Sequence, residues 1–144
     1  MAGKKALDIM SGNTECVGEN ETVLDAAKKL ARLDVGSMPI CGEDERLKGM
    51  LTDRDIVVKV FAQGKDPAGT RAAEIAQGDG TVVTVGADDP IEEALRTMTS
   101  HKVRRLPVID GHDLVGIISQ ADIARNIDEE KVGDLVEAIS TGGA

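Results

Sequence analysis

The chain has 144 residues, 41% of them hydrophobic, which is long enough to bury one respectable core. Its formal charge of −9 and pI near 4.7 repel phosphate backbones and anionic membranes at long range, and its one aromatic residue, Phe61, leaves no platform for stacking bases, so no nucleic-acid partner is expected. No run approaches the roughly 18 to 20 apolar residues of a membrane span, and Met1-Ala-Gly-Lys-Lys leads into Asp8-Ile-Met rather than an apolar export segment, which predicts a cytoplasmic protein without membrane contact.

In chain order, Ala6-Leu-Asp-Ile-Met10 reads as a short helical lead-in and Thr14-Glu-Cys-Val17 as a short strand. From Glu21 to Leu33, Val23, Ala27, Leu30 and Ala31 recur on one helical face, with Asn20 or Glu21 near the start. Ser37 to Cys41 and Leu47 to Leu51 then make a strand pair around the polar turn Gly42-Glu-Asp-Glu-Arg46, followed by a helix at about Arg54 to Ala62. Gln63-Gly-Lys-Asp-Pro-Ala-Gly69 is dense in turn residues and reads as a linker.

The same order then returns. A lead-in at Ala72 to Ala76 and a strand at Thr81 to Val85 precede a helix from Asp89 to about Ser100, with Pro90 in its first turn and Ile91, Ala94, Leu95 and Met98 facing inward. Strands Arg105 to Ile109 and Leu114 to Ile118 flank Asp110-Gly-His-Asp113, and a helix spans about Ala121 to Ile127. A final amphipathic helix, Glu129 to Ser140, carries Val132, Leu135, Val136 and Ile139 at i, i+3, i+4, i+7 and has no counterpart in the first half. The predicted boundaries are 1–66 for the first repeat, 67–128 for the second and 129–144 for the C-terminal helix and tail. The fold class is α/β (α+β), with two β-α-β-β-α repeats packed pseudo-symmetrically.

The repetition is in residues as well as in order. Gly49-Met-Leu-Thr52-Asp-Arg-Asp55-Ile56 returns as Gly116-Ile-Ile-Ser119-Gln-Ala-Asp122-Ile123. Pro39 and Pro107 are 68 positions apart and Gly49 and Gly116 are 67 apart, so one deletion in the hairpin turn reconciles the two offsets. A duplicated unit that cannot bury its own apolar faces must pack against its copy, which predicts two lobes with clefts between them.

The repeated pattern Gly-h-h-(Thr/Ser)-x-x-Asp, where h is apolar, has two physical readings. Gly49 and Gly116 open buried strands where a side chain would crowd neighbouring backbone, and Thr52-x-x-Asp55 and Ser119-x-x-Asp122 fit the capping box that starts a helix. Alternatively, a strand-to-helix junction presents free N–H groups where phosphate binds, with the hydroxyl bonding phosphate and the acid accepting from ribose. Arg54, Lys102, Arg104 and Arg105 are the cations placed to offset phosphates; alternation along a strand turns Arg104 and Arg105 to opposite faces, and Arg54 also reads as a first-turn residue satisfied by Asp53 and Asp55.

From Asp8-Ile-Met10 to about Ile127, through Val35-Gly-Ser-Met-Pro39-Ile, Val103-Arg-Arg-Leu-Pro107-Val and both junction motifs, the chain resembles a tandem pair of CBS domains, a Bateman module. Cys41-Gly-Glu-Asp-Glu-Arg-Leu, Met50-Leu-Thr-Asp-Arg-Asp-Ile and His101-Lys-Val-Arg-Arg are similar to stand-alone actinobacterial two-CBS proteins of the hypoxic response type. The resemblance implies clefts for AMP, ADP, ATP or S-adenosylmethionine. It places the contacts on Thr14 and Thr81, on Ser37, Met38 and Pro39, on Arg105, Leu106 and Pro107, and on the pairs Thr52/Asp55 and Ser119/Asp122. It implies a homodimer that informs an effector protein by a change of shape.

The two cysteines, Cys16 and Cys41, fall on strands expected to be neighbours, so a disulfide is geometrically reasonable; the alternative is two small buried hydrophobes in a reducing compartment. His101 and His112 sit at opposite ends of one strand without ligand spacing, and no metal site is expected. No base is placed near Ser37, Thr52 or Ser119, so no catalysis is expected either. The function expected is a non-catalytic regulatory sensor that binds an adenosine nucleotide; the alternative is a ligand-free structural or stress-response dimer stabilised by the Cys16–Cys41 pair.

Overall fold

Apolar strands that are too short to close a core alone gather here into two small sheets, each covered by the helix that follows its first strand and by a lead-in segment. The structure, a computed structural model, describes residues 4–12, 14–76 and 82–126. They divide into two compact units, Glu15–Val82 holding the first repeat and Met1–Thr14 with Val83–Ala144 holding the second.

In the first-repeat unit, β1 (Val17–Gly18) runs parallel to β2 (Ser37–Cys41), which pairs antiparallel with β3 (Leu47–Thr52). Between β1 and β2 lies α2 (Val23–Leu33). Thr22 caps α2 by accepting from the Asp25 N–H at 3.1 Å, a contact that stabilises by about 1 kcal/mol. The capping hydroxyl thus sits one residue beyond the expected start at Asn20 or Glu21. Val23, Ala26 and Leu30 are buried while Ala31 is exposed and Ala27 half-buried, so the apolar face is rotated slightly from the one expected. These side chains close on Ile40, Leu51 and Ile75.

After β3 the chain turns into α3 (Asp53–Ile56) and continues as a π-helix over Val57–Phe61, closed by Ala62 N–H to Val57 C=O at 2.9 Å. The segment read as a linker then works as a clamp. Leu24 and Val23 N–H groups, which have no partner inside α2, donate to the Pro67 and Thr70 carbonyls at 3.1 and 2.8 Å. A 3₁₀ turn, Ala72–Ile75, buries Ala72 and Ile75 in the same core.

The second-repeat unit repeats this plan. β4 (Val85–Gly86) is parallel to β5 (Arg105–Asp110), which pairs antiparallel with β6 (Asp113–Ser119), and α4 (Ile91–His101) lies between β4 and β5. α5 (Gln120–Ala124) follows β6. Ile91, Ala94 and Met98 are buried as expected, with Leu95 packed at the edge of the core. Its clamp is α1 (Ala6–Ile9), from the beginning of the chain. The Ala6 N–H donates to the Asp89 carbonyl at 2.8 Å and the Ile91 N–H to the Lys4 carbonyl at 3.1 Å, the counterparts of the contacts made by residues 67–72.

The packing units therefore do not follow the 1–66 and 67–128 boundaries. The lead-in before the first repeat is folded into the unit of the second, and the lead-in before the second repeat is folded onto the first. The strands β1 and β4 are also shorter than expected, two residues each, because only Val17–Gly18 and Val85–Gly86 reach a partner. The expected helix Glu129 to Ser140, together with Thr81 and Ile127, lies outside the described residues. Among the described residues no helix is long and apolar enough to cross a membrane.

Both motif glycines lie against these lead-ins. A Cβ on Gly116 would meet Met10 Sδ at 2.5 Å and the Ser11 carbonyl at 2.7 Å, where Ser11 and Ile117 exchange hydrogen bonds of 2.9 and 3.1 Å. At Gly49 the nearest atom is Ala76 Cβ at 3.2 Å.

Cys16 and Cys41 form a disulfide with their Cα atoms 5.7 Å apart, closing a separation of 25 residues. A loop of that size stabilises by roughly 3 kcal/mol in the chain-entropy model. Beside it, Lys29 donates to the Cys16 carbonyl at 3.1 Å and to Glu21 Oε2 at 2.9 Å, and the Gly18 N–H donates to the same oxygen at 2.7 Å. The Gly18 N–H, and then Lys29, hold the Glu21 carboxyl below its ordinary value.

Two measurements test this packing. Gly116→Val should lower stability by about 1–3 kcal/mol in denaturant titration because backbone blocks the new side chain, while Gly49→Ala should cost clearly less because a methyl can shift. For Glu21, a depressed carboxyl contributes stability that is present above its unfolded value and lost as pH falls through the lower folded value. Glu21→Gln should therefore be less stable than the parent at neutral pH, with the gap shrinking below about pH 4.5 and gone in stronger acid.

Candidate functional site

Each unit carries one corner where an antiparallel strand pair runs into a helix start. In the first-repeat unit Ser37 stands opposite Thr52, and in the second-repeat unit Arg105 stands opposite Ser119. Directly opposed residues point to the same face of a sheet with Cβ atoms about 5 Å apart, so each pre-proline strand presents its first residue beside the capping hydroxyl.

The corners are closed by full capping boxes. The Asp55 N–H donates to Thr52 Oγ1 at 3.0 Å, and Asp55 Oδ2 accepts from the Thr52 N–H at 2.9 Å and from Thr52 Oγ1 at 2.8 Å. The Asp122 N–H donates to Ser119 Oγ at 3.1 Å and Asp122 Oδ2 accepts from the Ser119 N–H at 2.8 Å. Both acids are only 7% exposed, which burial alone would make costly. Their outer oxygens are met by cations one turn on, Asp55 Oδ1 by Lys59 Nζ at 3.4 Å and Asp122 Oδ1 by Arg125. Lys59 also donates to the Ala76 carbonyl at 2.7 Å.

Lys59 and Arg125 were not singled out from the sequence, although Asp-to-Lys at i+4 and Asp-to-Arg at i+3 on a helix are readable spacings. Arg54 is exposed and pairs with neither Asp53 nor Asp55: its backbone N–H, not its guanidinium, reaches Asp53 Oδ1 at 2.8 Å. Arg104 and Arg105 are both exposed.

Of the remaining expected contacts, Met38, Pro39, Leu106 and Pro107 are buried, Met38 and Leu106 as members of the two cores, so their side chains serve packing. Thr14 belongs to the unit of the second repeat, where its hydroxyl faces the Ser11 carbonyl at 3.4 Å, rather than to the unit of Ser37, Thr52 and Asp55. Thr81 is outside the described residues.

One atom in the first-repeat corner is unusual. Ser37 Oγ is buried and has no hydrogen-bond partner among the described residues. An unsatisfied buried hydroxyl costs about 1–3 kcal/mol, so a position that keeps one invites an incoming donor or acceptor.

Two mixed α/β units, each with a β-α-β-β-α order and a hydroxyl-and-acid corner, define a tandem-repeat α/β module. Residues 6–61 and 79–129 match the CBS domain, and the chain belongs to that family. It is 48% identical over 134 residues to Hypoxic response protein 1 of Mycobacterium tuberculosis, a stand-alone two-CBS protein, covering 93% of this chain and 92% of that one. The crystal structure of Hypoxic Response Protein I with two coordinated zinc ions superposes with a TM-score of 0.80 at 49% identity, covering 87% of this chain and all of that one. The CBS domain pair of protein MJ0100 in complex with 5′-methylthioadenosine and S-adenosyl-L-methionine gives 0.73 at 28% identity, covering 86% of this chain and 95% of that one.

Zinc is a property of that relative's structure. Among the described residues of this chain no three of His, Cys, Asp and Glu are gathered as a metal site requires, and His101 and His112 are both exposed.

Removing the orphaned hydroxyl separates its two roles. Ser37→Ala should leave the ligand-free protein as stable as the parent or up to about 1 kcal/mol more stable by denaturant titration, because no hydrogen bond is lost.

Proposed function

We propose that this chain is a non-catalytic CBS-pair sensor that binds an adenosine nucleotide or S-adenosylmethionine at its strand-to-helix corners. The observation that carries this reading is the buried Ser37 hydroxyl, which has no hydrogen-bond partner among the described residues and stands on the same sheet face as Thr52. A protein interior rarely keeps such a group unless something else completes it. The MJ0100 pair, captured with two adenosine compounds at 28% identity, supports that choice of ligand class. AMP, ADP and ATP are candidates on the same ground.

Ser37, Thr52 and Asp55 in one unit and Arg105, Ser119 and Asp122 in the other are the residues assigned to the ligand. The caps already occupy one oxygen of each acid, leaving Asp55 Oδ1 and Asp122 Oδ1 to exchange a cation for ribose hydroxyls. Signalling would pass to an effector protein from a homodimer, for which the exposed Val57, Val58 and Phe61 on the π-helical turn supply an apolar face.

A ligand-free structural dimer is the second reading, favoured by the Cys16–Cys41 disulfide, which stabilises the first-repeat unit without any ligand. Thermal shift decides between the two. A specific ligand at 100 times its dissociation constant adds about 2.7 kcal/mol, and Ser37→Ala should diminish that gain; no shift with AMP, ADP, ATP or S-adenosylmethionine at millimolar concentration favours the structural dimer.

A further inference from the structure

The two repeats build one strand junction twice, and only the first is crosslinked. Where the first repeat has Cys16 and Cys41, the second has Thr84 and Ile109. The pairing around them is the same. Gly18 stands against Cys41 and Gly86 against Ile109, and the antiparallel register shifts between Ile40 and Cys41 as it does between Val108 and Ile109. The backbone bonds match too, Glu19 N–H to the Cys41 carbonyl at 2.8 Å and Ala87 N–H to the Ile109 carbonyl at 2.9 Å. β1 and β4 each bury their valine, Val17 and Val85. Burial and backbone pairing therefore close this junction without a covalent bond, and the disulfide is added to a frame that stands without it.

The two sulfurs of that bond sit in unequal surroundings. Cys41 is buried at 8% exposure in the central strand of its sheet, whereas Cys16, just ahead of the edge strand β1, is half-buried. Cations of α2 reach the Cys16 end. Lys29, itself paired with Glu21, donates to the Cys16 carbonyl at 3.1 Å, and Arg32 pairs with Glu15 at 2.8 Å. The nucleophile in disulfide exchange is an anionic thiolate, so access and a neighbouring cation both select the sulfur that it attacks.

We infer that Cys16–Cys41 is an exchangeable bond and that Cys16 is the site at which a low-molecular-weight thiol enters. The small thiolate attacks Cys16 Sγ, the bond between the two cysteines breaks, and Cys41 leaves as a thiolate that takes a proton from water. The mixed disulfide on Cys16 then has two exits. Cys41 attacks Cys16 Sγ again and expels the small thiol, which restores the bridge, or a second small thiolate attacks the outer sulfur and releases a small-molecule disulfide. By the second exit the protein gains two electrons and two protons as a pair of thiols, and two small thiols are oxidised to one disulfide. The chain thus carries a reversible modification site at the opposite end of β2 from Ser37. The inference is independent of the adenosine reading.

Glutathione chemistry on the folded full chain, followed by mass spectrometry of acid-quenched samples, tests it. With reduced glutathione and no denaturant, the bridge should open at a rate that rises in proportion to glutathione concentration. In Cys41→Ser, where nothing displaces the adduct, oxidised glutathione should add once, at Cys16, at least about tenfold faster than it adds to Cys41 in Cys16→Ser. Cys16→Thr with Cys41→Ile, which installs the second-repeat residues, should still unfold in one cooperative transition, at a lower denaturant midpoint than the oxidised parent. A bridge that opens only in denaturant or at the rate of global unfolding overturns the inference. So does equal modification of the two cysteines in the single variants, or a double variant without a cooperative transition.

Discussion

The antiparallel registers that set Ser37 against Thr52 and Arg105 against Ser119 are the constraint from which both corners follow. Because side chains alternate along a strand, a slip of one residue would send Ser37 and Arg105 to the opposite face and bury polar groups where Met38 and Leu106 now pack. The slip is resisted from both ends. Met38 and Leu106 are locked into the two cores, and the pairing is offset at the same point in each repeat, between Ile40 and Cys41 and between Val108 and Ile109. Such an offset re-aims the far end of the strand and leaves the near end, where the hydroxyls lie, in strict opposition.

On that shared frame the two repeats have drifted in chemistry and not in geometry. Each Asp closes a capping box and each is met by a cation from the next turn, yet one pre-proline strand begins with a buried hydroxyl and the other with an exposed guanidinium. Duplication lets this happen cheaply. The backbone contacts that define the corner are independent of what stands at residues 34, 36 and 37 or at 102, 104 and 105, because those contacts use carbonyls and N–H groups, as in Asp53 N–H to Gly36 C=O and Gln120 N–H to Arg104 C=O.

Much of this was legible in the sequence, for identifiable reasons. The strand pairs β2/β3 and β5/β6 stand out because a polar turn separates apolar runs, and the capping boxes because a hydroxyl and an acid three residues apart have a fixed local geometry. The crowding against backbone expected at Gly49 and Gly116 is present at Gly116, whereas at Gly49 the neighbours are the side chains of Ala76 and Ile40, and the sequence does not say what crowds either glycine. Ala76 and the Met10–Ser11 segment are remote or ambiguous in sequence, and only tertiary packing brings them there. Pairing of two-residue strands at Val17 and Val85 likewise leaves little periodic trace, and the burial of Ala26 in place of Ala31 turns on a rotation of about one residue that alanine-rich helices do not specify. The orphaned Ser37 oxygen has no sequence signal, since satisfaction of a hydroxyl is a matter of three-dimensional neighbours.

The swapped lead-ins also impose an order on synthesis. Everything that the first-repeat core needs, from Val17 to Ile75, is contiguous, so it can close while the ribosome is still making the rest. Ala6 has to wait as a loose tether until Ile118 and Ile123 emerge, more than a hundred residues later, before it finds its place. A nascent chain stalled after β4 would therefore carry one finished body and a lead-in whose Ala6 has not yet found its core.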